Sequence, residues 1–167
     1  PLIPTEYAAS VDIVAFQGDL VVLLNNGRMD RFDRSWNVIQ RSIGPRGQYI
    51  TKVFVEDDLL VVLAGRRLYW SLDGVQWTLI ESDDCTASLD VDGRVSVLFM
   101  SSVGRLQRQG QTVSIYRDII YNHPIPDIPD HFARLGDTIV FPERHTGPSN
   151  IEIRIGLDID TTLEVSS

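Results

Sequence analysis

One pattern occurs four times along this chain of 167 residues, and it restricts the possible folds more than any other feature. Each copy has an apolar stretch, a tight polar turn and a second apolar stretch. The turns are centred on Gly18, Asp57, Gly93 and Gly136, so the copies follow one another at intervals of roughly 40 residues. Such a fixed interval indicates a structural unit that is repeated along the chain.

Within each copy the apolar stretches are short and separated by turn residues, which is typical of β-strands. In the second copy we predict strands at Ile50 to Val55, Leu59 to Leu63, Arg67 to Ser71 and Trp77 to Ile80. The continuous apolar run of the second of these strands indicates a sheet that is covered on both faces. No amphipathic helix is apparent in the sequence.

About four strands in a repeat of about 40 residues predict the blades of a β-propeller. We therefore expect an all-β fold with four β-propeller-like blades of about four antiparallel strands each, and a β-sandwich or barrel is the alternative. The predicted blades cover about residues 11–42, 50–82, 86–118 and 131–166. Residues 1–10 are predicted to form an extended arm, and residues 11–167 a single domain.

The second turn of the first three copies is predicted at Gly27-Arg28, Gly65-Arg66 and Gly104-Arg105. Glycine suits a hairpin turn because it adopts positive φ without strain. The arginines Arg28, Arg66 and Arg105 would then occupy equivalent positions on successive blades and could bind a partner. Salt bridges to neighbouring aspartates explain these arginines equally well.

The charged residues are unusual in kind, because 14 arginines stand against the single lysine Lys52. Arginine is favoured at protein interfaces and lysine is disfavoured there, although codon usage explains the same bias. The net charge of −8 argues against nucleic acid and against an anionic membrane surface as partners. Other proteins of an assembly, or copies of this chain, are the expected partners.

Cys85 is the single cysteine, so an intrachain disulfide and a cysteine-based metal site are both excluded. No apolar run approaches the ~20 residues that a membrane-spanning helix requires. The histidines match no spacing that is typical of metal ligands. We predict no cofactor, no metal and no catalytic residue.

The segment from Ser71 to Trp77, Ser-Leu-Asp-Gly-Val-Gln-Trp, resembles the Asp-box turn of sialidase-like (BNR) propellers. One residue between Asp73 and Gly74 is missing relative to that motif. In that family the turn is structural and lies away from the active site. The resemblance therefore implies a structural role for Ser71, Asp73, Gly74 and Trp77, and no motif assigns the arginine, tyrosine and carboxylate groups of a sialidase.

A short, acidic propeller with degenerate Asp-box-like turns is similar to tail, baseplate or fibre proteins of bacteriophage virions. The resemblance implies a non-enzymatic structural or interaction protein of a virion that is assembled in the host cytoplasm. Outside a virion, we expect a cytoplasmic location.

Carbohydrate binding is the alternative function, with Tyr69, Trp70 and Trp77 as stacking platforms. Trp70 is expected to be the most exposed of these rings, because it follows Tyr69 on a strand whose faces alternate. A glycoside hydrolase is a weaker alternative.

Overall fold

The computed structural model describes residues 9–143, 150–155 and 162–166, and these residues contain β-strands, turns and no helix. None of them therefore forms a helix that could cross a membrane. The predicted arm lies mostly outside the described residues, so the division into an arm and one domain stays a prediction. The strands are β1 (Ser10–Phe16), β2 (Asp19–Leu24), β3 (Met29–Phe32), β4 (Val38–Ile43), β5 (Ile50–Glu56), β6 (Leu59–Ala64), β7 (Arg67–Ser71), β8 (Thr78–Glu81), β9 (Thr86–Leu89), β10 (Val95–Leu98), β11 (Ser102–Gln109), β12 (Thr112–Ile120), β13 (Ala133–Leu135), β14 (Thr138–Glu143), β15 (Asn150–Ile155) and β16 (Thr162–Ser166).

These strands form four separate antiparallel sheets of four strands, and each sheet follows chain order from one edge to the other. The sheets are β1–β4, β5–β8, β9–β12 and β13–β16. This arrangement confirms the predicted all-β fold of four four-stranded sheets. The chain divides into two compact units, which we call unit 1 (residues 1–82) and unit 2 (residues 83–167).

Unit 1 has a core to which both of its sheets contribute. All six residues of β6 are buried, as the uninterrupted apolar sequence of this strand predicts. Partly buried Tyr69 and Trp77 pack against this core. Its buried members are Phe16, Val21, Leu23, Met29, Ile43, Ile50, Val53, Leu60 and Val62.

The core of unit 2 includes side chains from the proline-rich segment 121–130. Its three prolines within six residues predict an extended segment that crosses an outer face. It is neither helix nor strand, but Tyr121, Ile125 and Ile128 are buried. The backbone amides of Tyr121 and Ile125 donate hydrogen bonds to the carbonyl oxygens of Ser101 and Met100, at 2.8 and 2.7 Å. The segment therefore helps to hold unit 2 together.

The third Gly-Arg turn was predicted at the wrong place. Gly104 and Arg105 lie inside β11, and the connection from β10 to β11 is formed by residues 99–101. Gly104 lacks positive φ, yet a Cβ atom there would lie 2.6 Å from Ile115 Cγ2 and 2.7 Å from the Tyr116 carbonyl oxygen. Glycine is needed at this position because the backbone of β12 approaches it closely. The sequence alone does not distinguish a glycine needed for such an approach from a glycine needed for a turn.

This close approach accompanies a β-bulge in the pairing of β11 with β12. Val103 is opposite Ile119, whereas Gly104 is opposite Arg117, so Asp118 is the additional residue. Bulges bend a strand and change the direction of a side chain. In unit 2, the carboxylate of Asp118 forms an ion pair with Arg134 of β13.

Candidate functional site

Arg28 lies in the turn before β3, as predicted, and its side chain is held by an aspartate. Nη2 donates a hydrogen bond of 2.9 Å to Oδ2 of Asp30, which is fully buried. Oδ1 of Asp30 accepts a hydrogen bond from the backbone amide of Ser42 at 2.8 Å. The Arg28 side chain as a whole remains about one third exposed, although its Nε is buried and has no hydrogen-bond partner.

The other two arginines of the predicted set are placed differently. Arg66 is exposed in the turn before β7. Arg105 lies within β11 and forms an ion pair of 3.3 Å with Asp90, whose side chain is 3% exposed. Because Arg105 is in a strand, the expectation of three equivalent turn positions is wrong. The role of all three in partner binding stays a prediction.

The aromatic side chains proposed as stacking platforms have little free surface. Trp70 is 9% exposed, so the prediction that it is the most accessible ring is wrong. Tyr69 and Trp77 are partly buried and pack against the unit 1 core. Alternation along β7 predicted which residues share a face, but it did not predict that both faces are covered. A carbohydrate-stacking role for these rings stays a prediction.

The turn between β7 and β8 is built around two side-chain acceptors. Oδ1 of Asp73 accepts hydrogen bonds from the amides of Val75 and Gln76, at 2.8 and 2.9 Å. Oγ of Ser71 accepts one from the amide of Gly74 at 2.8 Å, and Gly74 has a φ of 79°. The hydrogen bonds from Gln76 and Val75 lower the pKa of the Asp73 carboxyl.

The corresponding turn between β3 and β4 uses Asp33 in a similar way. Its Oδ1 accepts hydrogen bonds from the amides of Ser35 and Asn37, and its Oδ2 accepts one from the side-chain amide of Asn37. The bond from that side chain is the main reason why the pKa of Asp33 is lowered. Trp36 lies in this turn with φ 64°, before β4 begins at Val38.

Side chains from the first sheet and its β1–β2 turn form hydrogen bonds with the turn between β7 and β8, which we call the Asp73 turn. Arg31 on β3 donates through Nη1 to the carbonyl oxygen of Asp73 at 3.1 Å and through Nε to Asp19 at 2.8 Å. Gln17 donates to the carbonyl oxygen of Leu72. The turn therefore connects the two sheets of unit 1, which is a structural role.

Replacement of Asp73 by alanine is expected to destabilise this turn. The amides of Val75 and Gln76 would lose their acceptor, at a cost of about 1 kcal/mol in the free energy of unfolding. Urea unfolding measures this cost. The control is Asp92→Ala, because Asp92 is another exposed aspartate in a turn. Equal stability of the two variants would contradict the role assigned to Asp73.

The sequence did not predict a groove in unit 1, which we call the Arg28–Arg46 groove. It has a volume of about 560 Å³. One wall is the turn before β3, from Asn26 to Arg28, and the other is the connection from β4 to β5. The only signal in the sequence is the run Gly44-Pro45-Arg46-Gly47, which interrupts the rhythm between the first two repeats.

Among the described residues, no three His, Cys, Asp or Glu side chains lie close enough together to hold a metal ion. His123 and His131 are both exposed. His145, the third histidine, lies outside the described residues. Cys85 is buried.

Comparison with known proteins bears on the fold. No family model and no curated protein sequence matches the chain. Virginiamycin B lyase from Staphylococcus aureus aligns with 99% of this chain and 58% of its own, with a TM-score of 0.57 and 15% identity. A streptogramin B lyase aligns with 96% of this chain and 55% of its own, with a TM-score of 0.54 and 12% identity. The N-terminal domain of Nup159 aligns with 95% of this chain and 47% of its own, with a TM-score of 0.58 and 9% identity.

This chain thus spans less than two thirds of each of these structures. At identities of 15% or lower, the similarity concerns the fold alone. Together with the four antiparallel sheets, it confirms a β-propeller-like all-β fold.

Proposed function

We propose that this chain is a non-enzymatic interaction protein that works as a structural component of a large assembly. A bacteriophage tail, baseplate or fibre is the specific candidate, and its motivation is the sequence resemblance together with the excess of arginine over lysine. The location that follows is a virion assembled in the host cytoplasm. The observation that carries the proposal is the surface of β12.

β12 is the nine-residue edge strand of its sheet, and in the described part of the chain no strand pairs with its outer side. Tyr116 is 62% exposed and Ile120 is 75% exposed on this strand. An edge strand presents unpaired backbone donors and acceptors. The charge of Arg117 and the bulge at Asp118 interrupt this edge, so the regular stretch from Thr112 to Tyr116 and the exposed Ile120 are the parts that are open to pairing. The β12 edge therefore suits pairing with a strand of another protein or of a second copy.

Light scattering at increasing concentration, followed by co-purification from extract of the source, tests this proposal. We expect a mass above the 18.8 kDa of one chain, or capture of a large assembly. The substitutions Tyr116→Glu and Ile120→Lys should reduce association, because each replaces an exposed apolar side chain with a charged one. Ser114→Glu on the same strand is the control and should have a smaller effect, because it removes no apolar surface. Unchanged association in both apolar-to-charged variants would exclude β12 as the contact.

Carbohydrate binding remains the alternative function. A monomer at all concentrations, with no captured protein and with tryptophan fluorescence that changes on addition of a glycan, would favour it over the assembly role. Hydrolysis of a fluorogenic glycoside would contradict the non-enzymatic proposal directly.

A further inference from the structure

The Arg28–Arg46 groove has a fixed frame. The amide of Ile50 donates a 3.2 Å hydrogen bond to the carbonyl oxygen of Gly27, which joins its two walls. The Tyr49 hydroxyl donates to the carbonyl oxygen of Asn25. A volume of about 560 Å³ falls within the range that is usual for ligand-binding clefts. The groove therefore has the size of a binding site, and hydrogen bonds fix its walls.

The charge on the groove is opposite to that of the whole chain. Its lining contains Arg28 and Arg46 and no carboxylate, on a chain of net charge −8. Asp30 is buried, is not part of the lining and forms an ion pair with Arg28. Arg46 is exposed and forms no ion pair or side-chain hydrogen bond with any described residue. This cationic lining is suited to an anionic group.

An exposed aromatic ring and an apolar bottom adjoin the two arginines. Tyr49 is 58% exposed, and the face of its ring packs on Gly27, where an added Cβ would lie 2.6 Å from the ring carbons. Met29, Ile43 and Ile50 line the bottom and are buried. These side chains offer no strong hydrogen-bonding group, so this part of the groove is suited to an apolar side chain.

We propose that the Arg28–Arg46 groove binds an acidic peptide segment of a partner protein. An Asp or Glu carboxylate of the peptide pairs with the arginines of the lining, and above all with exposed Arg46, since arginine pairs with carboxylates through several directed hydrogen bonds. A neighbouring apolar residue of the peptide packs against Tyr49. Nucleic acid is disfavoured because two arginines do not offset the repulsion between a polyanion and a chain of net charge −8.

An acidic sugar shares the carboxylate and could also use the polar lining residues Asn26, Ser42 and Gln48, so it is the competing ligand that the test has to separate. The groove lies in unit 1 and does not include β12. The proposal is therefore independent of the assembly contact, and either can fail without the other.

The test uses the full chain and a short peptide of alternating Glu and Leu with blocked ends and a fluorescein label. Binding of the peptide is measured by fluorescence anisotropy at low salt. The expected result is saturable binding that weakens as salt is added, because charge pairs at a surface are screened. The same peptide with Gln in place of Glu should not bind. Absence of binding by the Glu peptide, or equal binding of both peptides, would overturn the proposal.

Arg46→Glu is the decisive variant, because Arg46 is exposed and its loss should leave the fold intact. We expect its Kd for the Glu peptide to rise at least about tenfold, since an attractive charge becomes a repulsive one. Arg67→Glu, at an exposed position of β7 outside the groove lining, is the matched control and should change the Kd less than about twofold. Equal weakening in both variants would show a general charge effect and reject the site. Preference for oligogalacturonate over the Glu peptide would reject the peptide in favour of an acidic sugar.

Discussion

Replacement of Asp118 by alanine is expected to lower the free energy of unfolding by about 3 kcal/mol, because it leaves a buried guanidinium without its counter-charge. The Arg134 side chain is 3% exposed. Its Nη1 donates to Oδ1 of Asp118 at 3.0 Å, its Nη2 donates to Oδ2, and its Nε donates to the carbonyl oxygen of Gly136 at 2.9 Å. Asp118 is 26% exposed, which places the cost at the lower end for a broken buried pair.

Urea unfolding of the full chain measures this cost, and two further variants separate the possible causes. Asp83→Ala removes the ion-pair partner of Arg117. The Asp83 side chain is 67% exposed, so the loss in the free energy of unfolding should stay below about 1 kcal/mol. The double variant Asp118→Ala with Arg134→Met should be more stable than Asp118→Ala alone, because it removes the unpaired charge as well. A double variant that is less stable than the single variant would contradict this account.

The same pair predicts a dependence on pH. The hydrogen bonds from Arg134, followed by its positive charge, lower the pKa of Asp118 below 3.8, and burial opposes them. A carboxyl group whose folded pKa is depressed stabilises the fold above its unfolded pKa, and this contribution is lost as the pH falls through the lower folded value. Stability should therefore fall on acidification below about pH 4, and by less in Asp118→Ala than in the original chain.

This ion pair shows where prediction from the sequence ends. The four four-stranded sheets were predicted because alternation, short apolar runs and turn residues are local signals. The contact between Asp118 and Arg134 requires a bulge in β12 and the placement of the proline-rich segment that connects β12 to β13. Neither is encoded in a local pattern, and the third predicted blade ends at about residue 118, whereas β12 continues to Ile120.

The errors at Gly104 and Trp70 have a related cause. Glycine serves both a positive-φ turn, as at Gly65, and a close approach between strands, as at Gly104, and the sequence around each looks alike. Alternation places Tyr69 and Trp70 on opposite faces but does not reveal whether a face is covered. The Arg28–Arg46 groove depends on how a turn and a connection from further along the chain meet in space, so no local sequence motif predicts it.

Replacement of Leu60 by alanine is expected to cost about 3 kcal/mol, within the range measured for large-to-small changes in a core. Leu60 has no exposed surface and belongs to the unit 1 core. Its neighbours on β6 are also buried, so the strand has little freedom to move into the space. Leu79→Ala on β8, where the side chain is 40% exposed, is the matched control and should cost less than about 1 kcal/mol.

The position of Leu60 also makes a second, local readout possible. Its Cδ2 would lie 3.9 Å from a Cβ atom built on Gly74, so it supports the Asp73 turn from below. Amide hydrogen exchange at Val75 and Gln76 should therefore become faster in Leu60→Ala, because their acceptor on Asp73 loses its support. In Leu79→Ala, exchange at these amides should stay unchanged. A global loss of stability with unchanged exchange at the turn would mean that the core and the turn are energetically separate.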